Sequence, residues 1–240
     1  MYDPRYIERS FLMAYEVIRI NEHTWRIEDS GVRVFLLEGT EKALLIDSGM
    51  NLPNAAEIAR ELTALPLELL NTHADRDHIS GNGAFESFYM SPNEEPNYRS
   101  AGGTGTIIPV IQGDEIDLGG RVLEVVDLPG HTPGSIAVLD PECRALISGD
   151  PIQDGRIFMF GKYRNLNRYV ESLDALCVYD GRYDEIWPSH GTFPVSPSLA
   201  GQLLEAAENI LMGKTEGKRV DFRGTQITEY DTGVATFLCD

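Results

Sequence analysis

The segment His73-Ala74-Asp75-Arg76-Asp77-His78 packs four potential metal ligands into six residues, directly behind the apolar run Leu67–Leu70. Neutral imidazoles and carboxylates together suit divalent transition metals. Three further places repeat the device of an apolar run that ends in one ligand beside small residues. They are His131 in Leu128-Pro129-Gly130-His131-Thr132-Pro133-Gly134-Ser135, Asp150 after Ala145–Gly149, and His190 in Ile186-Trp187-Pro188-Ser189-His190-Gly191. A lone aspartate is usually just solvated, and a lone histidine is more often hydrogen-bonded than metal-bound. Four of the chain's five histidines in related contexts outweigh that ordinary reading. His23 lies outside these contexts and reads as structural or exposed.

The elements that must position these residues are legible from periodicity. Residues 12–20, 23–28, 32–38 and 42–47 are rich in β-branched, aromatic and leucine residues with short polar breaks, and predict successive antiparallel strands. Residues 53–63 switch to a helical period, with Pro53 in the first turn and Ala56, Ile58, Ala59 and Leu62 facing a core. Leu67–Leu70 is a strand, and 91–105, rich in Pro, Asn, Ser and Gly, reads as a long loop. Strands follow near 106–111, 121–128, 135–140 and 144–149, then a helix over 166–179 and a short strand over Glu185–Pro188. Ser196-Pro197 starts a helix that runs to about Met212 and stops at Gly213. Residues 219–238 read as three short strands. No repeat or linker is evident, so the expectation is one α/β layered domain over 1–240.

In order, the motifs LLIDSG, THADRDHISGN, GHTPGS, ISGD and PSHG resemble those of the metallo-β-lactamase superfamily across nearly the whole chain. The resemblance implies a four-layer αββα sandwich with a dinuclear site at one edge of its two sheets. It assigns His73, Asp75 and His131 to one metal, Asp77, His78 and His190 to the second, and Asp150 to both. Asp47, in LLIDSG, would be buried and hold the His73–His78 loop by hydrogen bonds rather than ligate. The commonest family pattern has a second histidine where this chain has Asp75. A carboxylate there makes the site harder and more anionic, which shifts preference from zinc towards manganese or iron. The implied cofactors are therefore two divalent ions of zinc, manganese or iron.

Two metals ~3.5–4 Å apart can share a water and lower its pKa towards ~7. Asp77 would ligate and orient that nucleophile, which makes it the expected catalytic residue. No rival covalent site is present: there is no G-x-S-x-G elbow, and Gly102-Gly103-Thr104-Gly105 lacks the lysine and helix of a phosphate loop. Segment 151–168 carries Phe158, Phe160, Tyr163 and Arg164, and is expected to line the substrate pocket. Phe158, Tyr163 and Arg164 are the candidate contacts, with Arg164 pairing a substrate carboxylate or phosphate.

The expected activity is hydrolysis of a small ester, thioester, lactone or phosphodiester. GHTPGS resembles glyoxalase II-like thioesterases, although their long helical tail has no counterpart here. True β-lactamase activity is disfavoured by Asp75 and by the absence of an export signal. The alternatives are a non-haem di-iron oxidoreductase of the same fold, whose usual flavin domain does not fit in 240 residues, and a non-catalytic metal-binding module.

Composition limits the partners. With 42% hydrophobic residues the chain can bury a core without a metal or disulfide staple, so a metal site would serve function. Twenty basic against 38 acidic residues give a net charge of −18, which repels polyanions and disfavours nucleic acid and anionic membranes. The partner is expected to be a small-molecule substrate. Three widely spaced cysteines form no disulfide framework and fit a reducing compartment. No run approaches the ~18 apolar residues of a membrane span. With MYDPRYIERS at the start, the expectation is a cytoplasmic protein.

Overall fold

The structure, a computed structural model, describes residues 15–52 and 54–240. The expected placement of Pro53 and the first residues of the 12–20 strand lie outside the described residues.

The first sheet has seven strands in sequence order: β1 (Tyr15–Asn21), β2 (Thr24–Asp29), β3 (Val32–Glu38), β4 (Ala43–Ile46), β5 (Leu67–Leu70), β6 (Ser87–Met90) and β7 (Thr106–Pro109). β1 to β4 are antiparallel, as their short turns require. From β4 onward the pairs are parallel. The first parallel crossover is supplied by helix α1 (Ala55–Leu62), capped by the Asn54 side chain on the Glu57 amide. The second sheet has the order β13-β11-β10-β9-β8, with β8 (Glu115–Asp117), β9 (Val122–Asp127), β10 (Ile136–Asp140), β11 (Ala145–Gly149) and β13 (Glu185–Pro188). A third sheet joins β12 (Arg156–Met159) to β16 (Thr236–Cys239), β15 (Thr225–Asp231) and β14 (Lys218–Phe222).

Strand alternation explains the layering. Leu44 and Ile46 of β4 enter one core with Ile136 and Val138 of β10 and Ile147 of β11. Their neighbours Ala43 and Leu45 face the opposite way, against Ile58 and Ala59 of α1. Ala137 and Leu139 of β10 likewise face helices α4 (Leu166–Ala175) and α5 (Ser198–Leu211) through Leu173, Leu203 and Ala207. A strand buried on both faces carries apolar residues at both parities, and two such sheets face to face with helices outside make the αββα sandwich.

Several expectations need correction. Residues 91–105 are not one loop: Pro92–Glu94 forms a 3-10 turn and Glu95–Ser100 forms helix α3. Pro92 and Pro96, which marked the segment as loop, sit in first-turn positions where proline loses no helical hydrogen bond. β6 and β8 were not expected; both are short and only partly apolar. The 166–179 helix is α4 followed by a 3-10 turn over Leu176–Tyr179. Strand β12, within the segment expected to line the pocket, pairs in parallel with β16. The Gly213 stop is as expected, with φ +67° and the Lys214 amide donating to Asn209 O at 2.8 Å.

A buried ion pair ties the two sheets together. Arg121 donates to Asp140, to the carbonyls of His23 (3.0 Å) and Glu38 (3.1 Å), and to Thr24 Oγ1 (2.9 Å). Both charged groups are almost fully buried. Removing one partner strands the other's charge, so Arg121→Met is expected to cost about 3–5 kcal/mol of unfolding free energy. Urea denaturation checks this, and Arg121→Met/Asp140→Leu should recover most of the loss. A single variant as stable as the parent would show that the pair does not hold the sheets.

Candidate metal centre

The seven expected ligands converge at one edge because the strands carrying them end there. β4 and β5 are parallel neighbours, as are β11 and β13. Their C-terminal ends therefore deliver Asp47, the His73–His78 segment, Asp150 and His190 to the same side. His131 arrives on the β9–β10 connection. The turn before it needs Gly130, at φ +137°, where a Cβ would lie 2.4 Å from the backbone of Tyr169.

After β5 the chain enters the short helix α2 (Arg76–Ile79). Its geometry is fixed from below by Asp47, fully buried as expected. Asp47 Oδ1 accepts from the Thr72 amide at 2.8 Å, and Oδ2 accepts from Thr72 Oγ1 and His78 Nδ1, each at 2.8 Å. Asn71 Nδ2 and the Ser48 hydroxyl both donate to His78 O.

Every imidazole of the group is turned the same way. Thr72 Oγ1, its proton committed to Asp47, accepts from His73 Nδ1 at 3.0 Å. His78 Nδ1 faces Asp47, His131 Nδ1 donates to Phe158 O at 3.0 Å, and His190 Nδ1 donates to Gly31 O at 2.6 Å. With Nδ1 as donor, the neutral ring carries its free lone pair on Nε2, and all four Nε2 atoms point into the site.

The Nε2 atoms meet the carboxylates at short range. Asp150 Oδ1 lies 3.1 Å from His78 Nε2 and 3.3 Å from His190 Nε2, and its Oδ2 lies 3.5 Å from His131 Nε2. Asp75 Oδ2 is 3.3 Å from His131 Nε2 and 3.7 Å from His73 Nε2. Asp77 Oδ2 is 3.2 Å from His190 Nε2. Three ligand groups result: His73-Asp75-His131, His73-His78-Asp150 and Asp77-His78-His190, each with ligand atoms within 4.8 Å of one another. Nε2 of His73, His78 and His131 and Oδ1 of Asp150 are buried and make no hydrogen bond. Buried polar atoms are rarely left so. Orphaned lone pairs facing one space fit divalent cations, in donor type and in arrangement.

Charge coupling inside the group is strong. Burial would raise the Asp150 and Asp75 carboxyls, but the facing histidines hold both well below the usual range, and Asp77 is lowered too. Burial, and then the charge of Arg164, push His131 down and keep it neutral. Burial opposes protonation of His190, yet Asp150 and Asp77 raise it to about 10. Until a cation binds, His190 therefore carries a proton at neutral pH. Its folded value lies above the ordinary 6.5, so the stability it contributes to the cation-free fold is full below pH 6.5 and disappears as pH rises through about 10. Cation binding near pH 7.5 is accordingly expected to release protons, seen by calorimetry as an enthalpy that changes with the buffer's ionisation enthalpy. An enthalpy independent of buffer would count against the arrangement.

The remaining candidates divide. A 750 Å³ cavity opens over the group, and Phe158 and Arg164 line it. Tyr163 does not line it; its hydroxyl faces Lys162 Nζ at 3.3 Å. Arg164 is tied on one side to the ligand group, its Nη2 donating to Asp75 Oδ2. Asp75 is solvent-accessible enough for a long side chain from the next segment to reach it, which spacing alone cannot reveal. His23, in the turn between β1 and β2, is exposed and remote from the group. A second cavity of 810 Å³, beside α5 and lined by Glu205, Lys214 and Asp231, contains none of the seven.

Sequence reasoning missed Thr72 and Glu94. Glu94, fully buried, accepts from the Ala74 amide at 2.9 Å and the Gly134 amide at 2.7 Å, which clamps the His73 and His131 loops together. One glutamate in a Pro-flanked polar stretch carries no signal of such a role.

Residues 27–216 match the sequence profile of the family described as the Metallo-beta-lactamase superfamily. The chain belongs to this superfamily. Among curated metallo-β-lactamase relatives, the acyl-coenzyme A thioesterase MBLAC2 of Gallus gallus is 28% identical over 210 residues, covering 69% of this chain and 75% of the relative. The hydroxyacylglutathione hydrolase of Rhizobium meliloti is 25% identical over 146 residues, covering 58% of this chain and 57% of the relative. Among solved structures, a metallo-beta-lactamase from Pontibacter korlensis superposes with a TM-score of 0.69 at 20% identity, covering 81% of this chain and 99% of that one. At that identity the likeness establishes the metallo-β-lactamase fold. No described helix is long and apolar enough to cross a membrane.

Proposed function

We propose that this chain hydrolyses a small thioester with two divalent cations. One would be held by His73, Asp75 and His131, the other by Asp77, His78 and His190, with Asp150 reaching both. The observation that carries this reading is the common orientation of the four imidazoles, Nδ1 engaged and Nε2 turned into one space shared with three carboxylates. Cations bound there supply an acidified water and an electrophile for the substrate's carbonyl oxygen.

The chain's own groups do the positioning. The Nδ1 partners hold each ring in one tautomer, so no reorganisation is needed at the moment of reaction. Asp77, half-buried at the mouth and kept ionised, accepts a hydrogen bond from the attacking water and directs its lone pair at the acyl carbon. The water oxygen bonds to that carbon, the carbon–sulfur bond breaks with its electrons on sulfur, and the products are a carboxylate, a thiol and a proton. Among the expected substrate classes, thioesters are favoured because one relative is named an acyl-coenzyme A thioesterase and another a hydroxyacylglutathione hydrolase.

Arg164 bears on metal choice. It offsets the extra negative charge that Asp75 brings, so the His73-Asp75-His131 site is less anionic than its ligands alone suggest. That narrows the gap between zinc and the harder manganese and iron.

Elemental analysis of protein purified without metal-affinity resin, paired with a thiol-release assay, tests the proposal. The expected result is about two cations per chain, with thiol release lost on chelation and restored by metal. No more than one cation after reconstitution would overturn the two-cation site. Two irons with oxygen uptake and no thiol release would replace hydrolysis by oxidation chemistry.

A further inference from the structure

Eight of the fourteen described arginines find a carboxylate, among them Arg33 with Glu28, Arg144 with Asp184, Arg182 with Glu124 and Arg164 with Asp75. Six described arginines, Arg19, Arg60, Arg76, Arg156, Arg219 and Arg223, form no ion pair with a carboxylate among the described residues, although the chain has 38 acidic side chains. Three of the six, Arg76, Arg156 and Arg223, are exposed and line the 750 Å³ cavity over the metal centre. The carboxylates nearest the centre in that cavity, Asp75, Asp77 and Asp150, face the histidines. The outer wall is left with guanidinium charge and no carboxylate of its own to neutralise it.

Local structure builds this wall. Arg156 and Phe158 are two residues apart on β12 and so share a face, which is the cavity face. Arg223 forms, with Gly224, the two-residue turn between β14 and β15, closed by the Phe222–Thr225 pair, with φ of 53° and 87°. The Phe222 ring packs on Phe158 and Phe160, at 5.6 and 5.8 Å between centroids, which seats the hairpin tip beside β12.

We propose that Arg156 and Arg223, with Arg76 across the mouth, clamp the phosphate-bearing arm of a nucleotide-carried thioester. The inference rests on the thioester reading and names the carrier. Guanidinium forks match phosphate oxygens bidentately, and several of them suit a polyanion. A peptide carrier with a free ammonium would require a carboxylate on the outer wall, and the lining there offers none. The whole chain's −18 charge repels long polyanions. A compact one is admitted only where arginines converge.

The probe is adenosine 3′,5′-bisphosphate, titrated calorimetrically into metal-loaded protein. The variant is Arg156→Gln/Arg223→Asn, since asparagine tolerates the left-handed turn position. Wild type is expected to bind the probe, and the double variant to bind at least ~10-fold more weakly, the scale of losing charged hydrogen bonds. Arg156→Lys alone should lie between them. The ratio of kcat/KM for acetyl-coenzyme A to that for S-acetyl-N-acetylcysteamine, which lacks phosphates, should fall by at least ~10-fold in the double variant. Equal probe affinity in wild type and double variant, or no binding by wild type, overturns the clamp. Cleavage of the phosphate-free thioester alongside that result leaves the hydrolase reading standing. Arginine-dependent probe binding without cleavage of any thioester supports the clamp and rejects the hydrolase reading instead.

Discussion

Asp150→Ala is expected to lower kcat/KM for thioester hydrolysis by about 10³-fold, the upper range for loss of one preorganised electrostatic group. Among the described residues, Asp150 is the one carboxylate near Nε2 atoms of both the His73-Asp75-His131 and the Asp77-His78-His190 groups, within 3.1–3.3 Å of His78 and His190 through Oδ1 and 3.5 Å of His131 through Oδ2. Without it, the two proposed cations would lack the carboxylate that would reach both and the charge that would offset their mutual repulsion. Elemental analysis should show bound metal falling with activity. Asp150→Asn separates charge from shape, because it keeps one coordinating oxygen and removes the anion; it should retain more metal than alanine and still lose most activity. An Asp150→Ala protein with a full metal complement and parental kcat/KM would remove Asp150 from the centre and the shared-carboxylate geometry with it.

The parts of this centre that were legible in the sequence are those where chemistry and strand ends coincide. Each ligand follows an apolar run that must be a buried strand, and a ligand type at a strand end beside glycine is visible without coordinates. The layered α/β arrangement was legible in the mixture of strand runs and helical periods, and the four-layer sandwich only through the family resemblance; in the structure β4, β10 and β11 carry apolar residues at both parities and are buried on two faces. The support beneath the ligands was not legible. Thr72 relays Asp47 to His73 through a single hydroxyl, and Glu94 joins two loops through backbone amides, so neither leaves a spacing or periodicity to detect. Arg164 was expected to meet substrate, and its contact with the half-buried Asp75 left no trace in spacing, because the two lie 89 residues apart. The unpaired Arg156 and Arg223 become visible only when the β14–β15 hairpin is seen seated beside β12.

Asp47 offers the second large effect, and its two substitutions separate stability from metal binding. Asp47 holds φ at +64°, where aspartate and asparagine are tolerated and alanine is strained. Asp47→Ala also leaves the Thr72 amide, the Thr72 hydroxyl and His78 Nδ1 buried without their acceptor. At about 1–3 kcal/mol for each unsatisfied group, partly relieved by relaxation, the expected loss is about 3–5 kcal/mol. Denaturant unfolding reads it. Asp47→Asn keeps the backbone conformation and an oxygen for the Thr72 amide, so its stability loss should be much smaller. Its NH₂ then faces His78 Nδ1, which must become the acceptor. The ring proton moves to Nε2, the lone pair leaves the site, and affinity for the cation held by His78 should fall about 10–100-fold, the range for loss of a ligand's orienting partner. Competition with a chelator of known affinity measures this on folded protein. If Asp47→Asn binds both cations like the parent, the tautomer of His78 is not set by Asp47, and the orientation of the imidazoles must be fixed elsewhere.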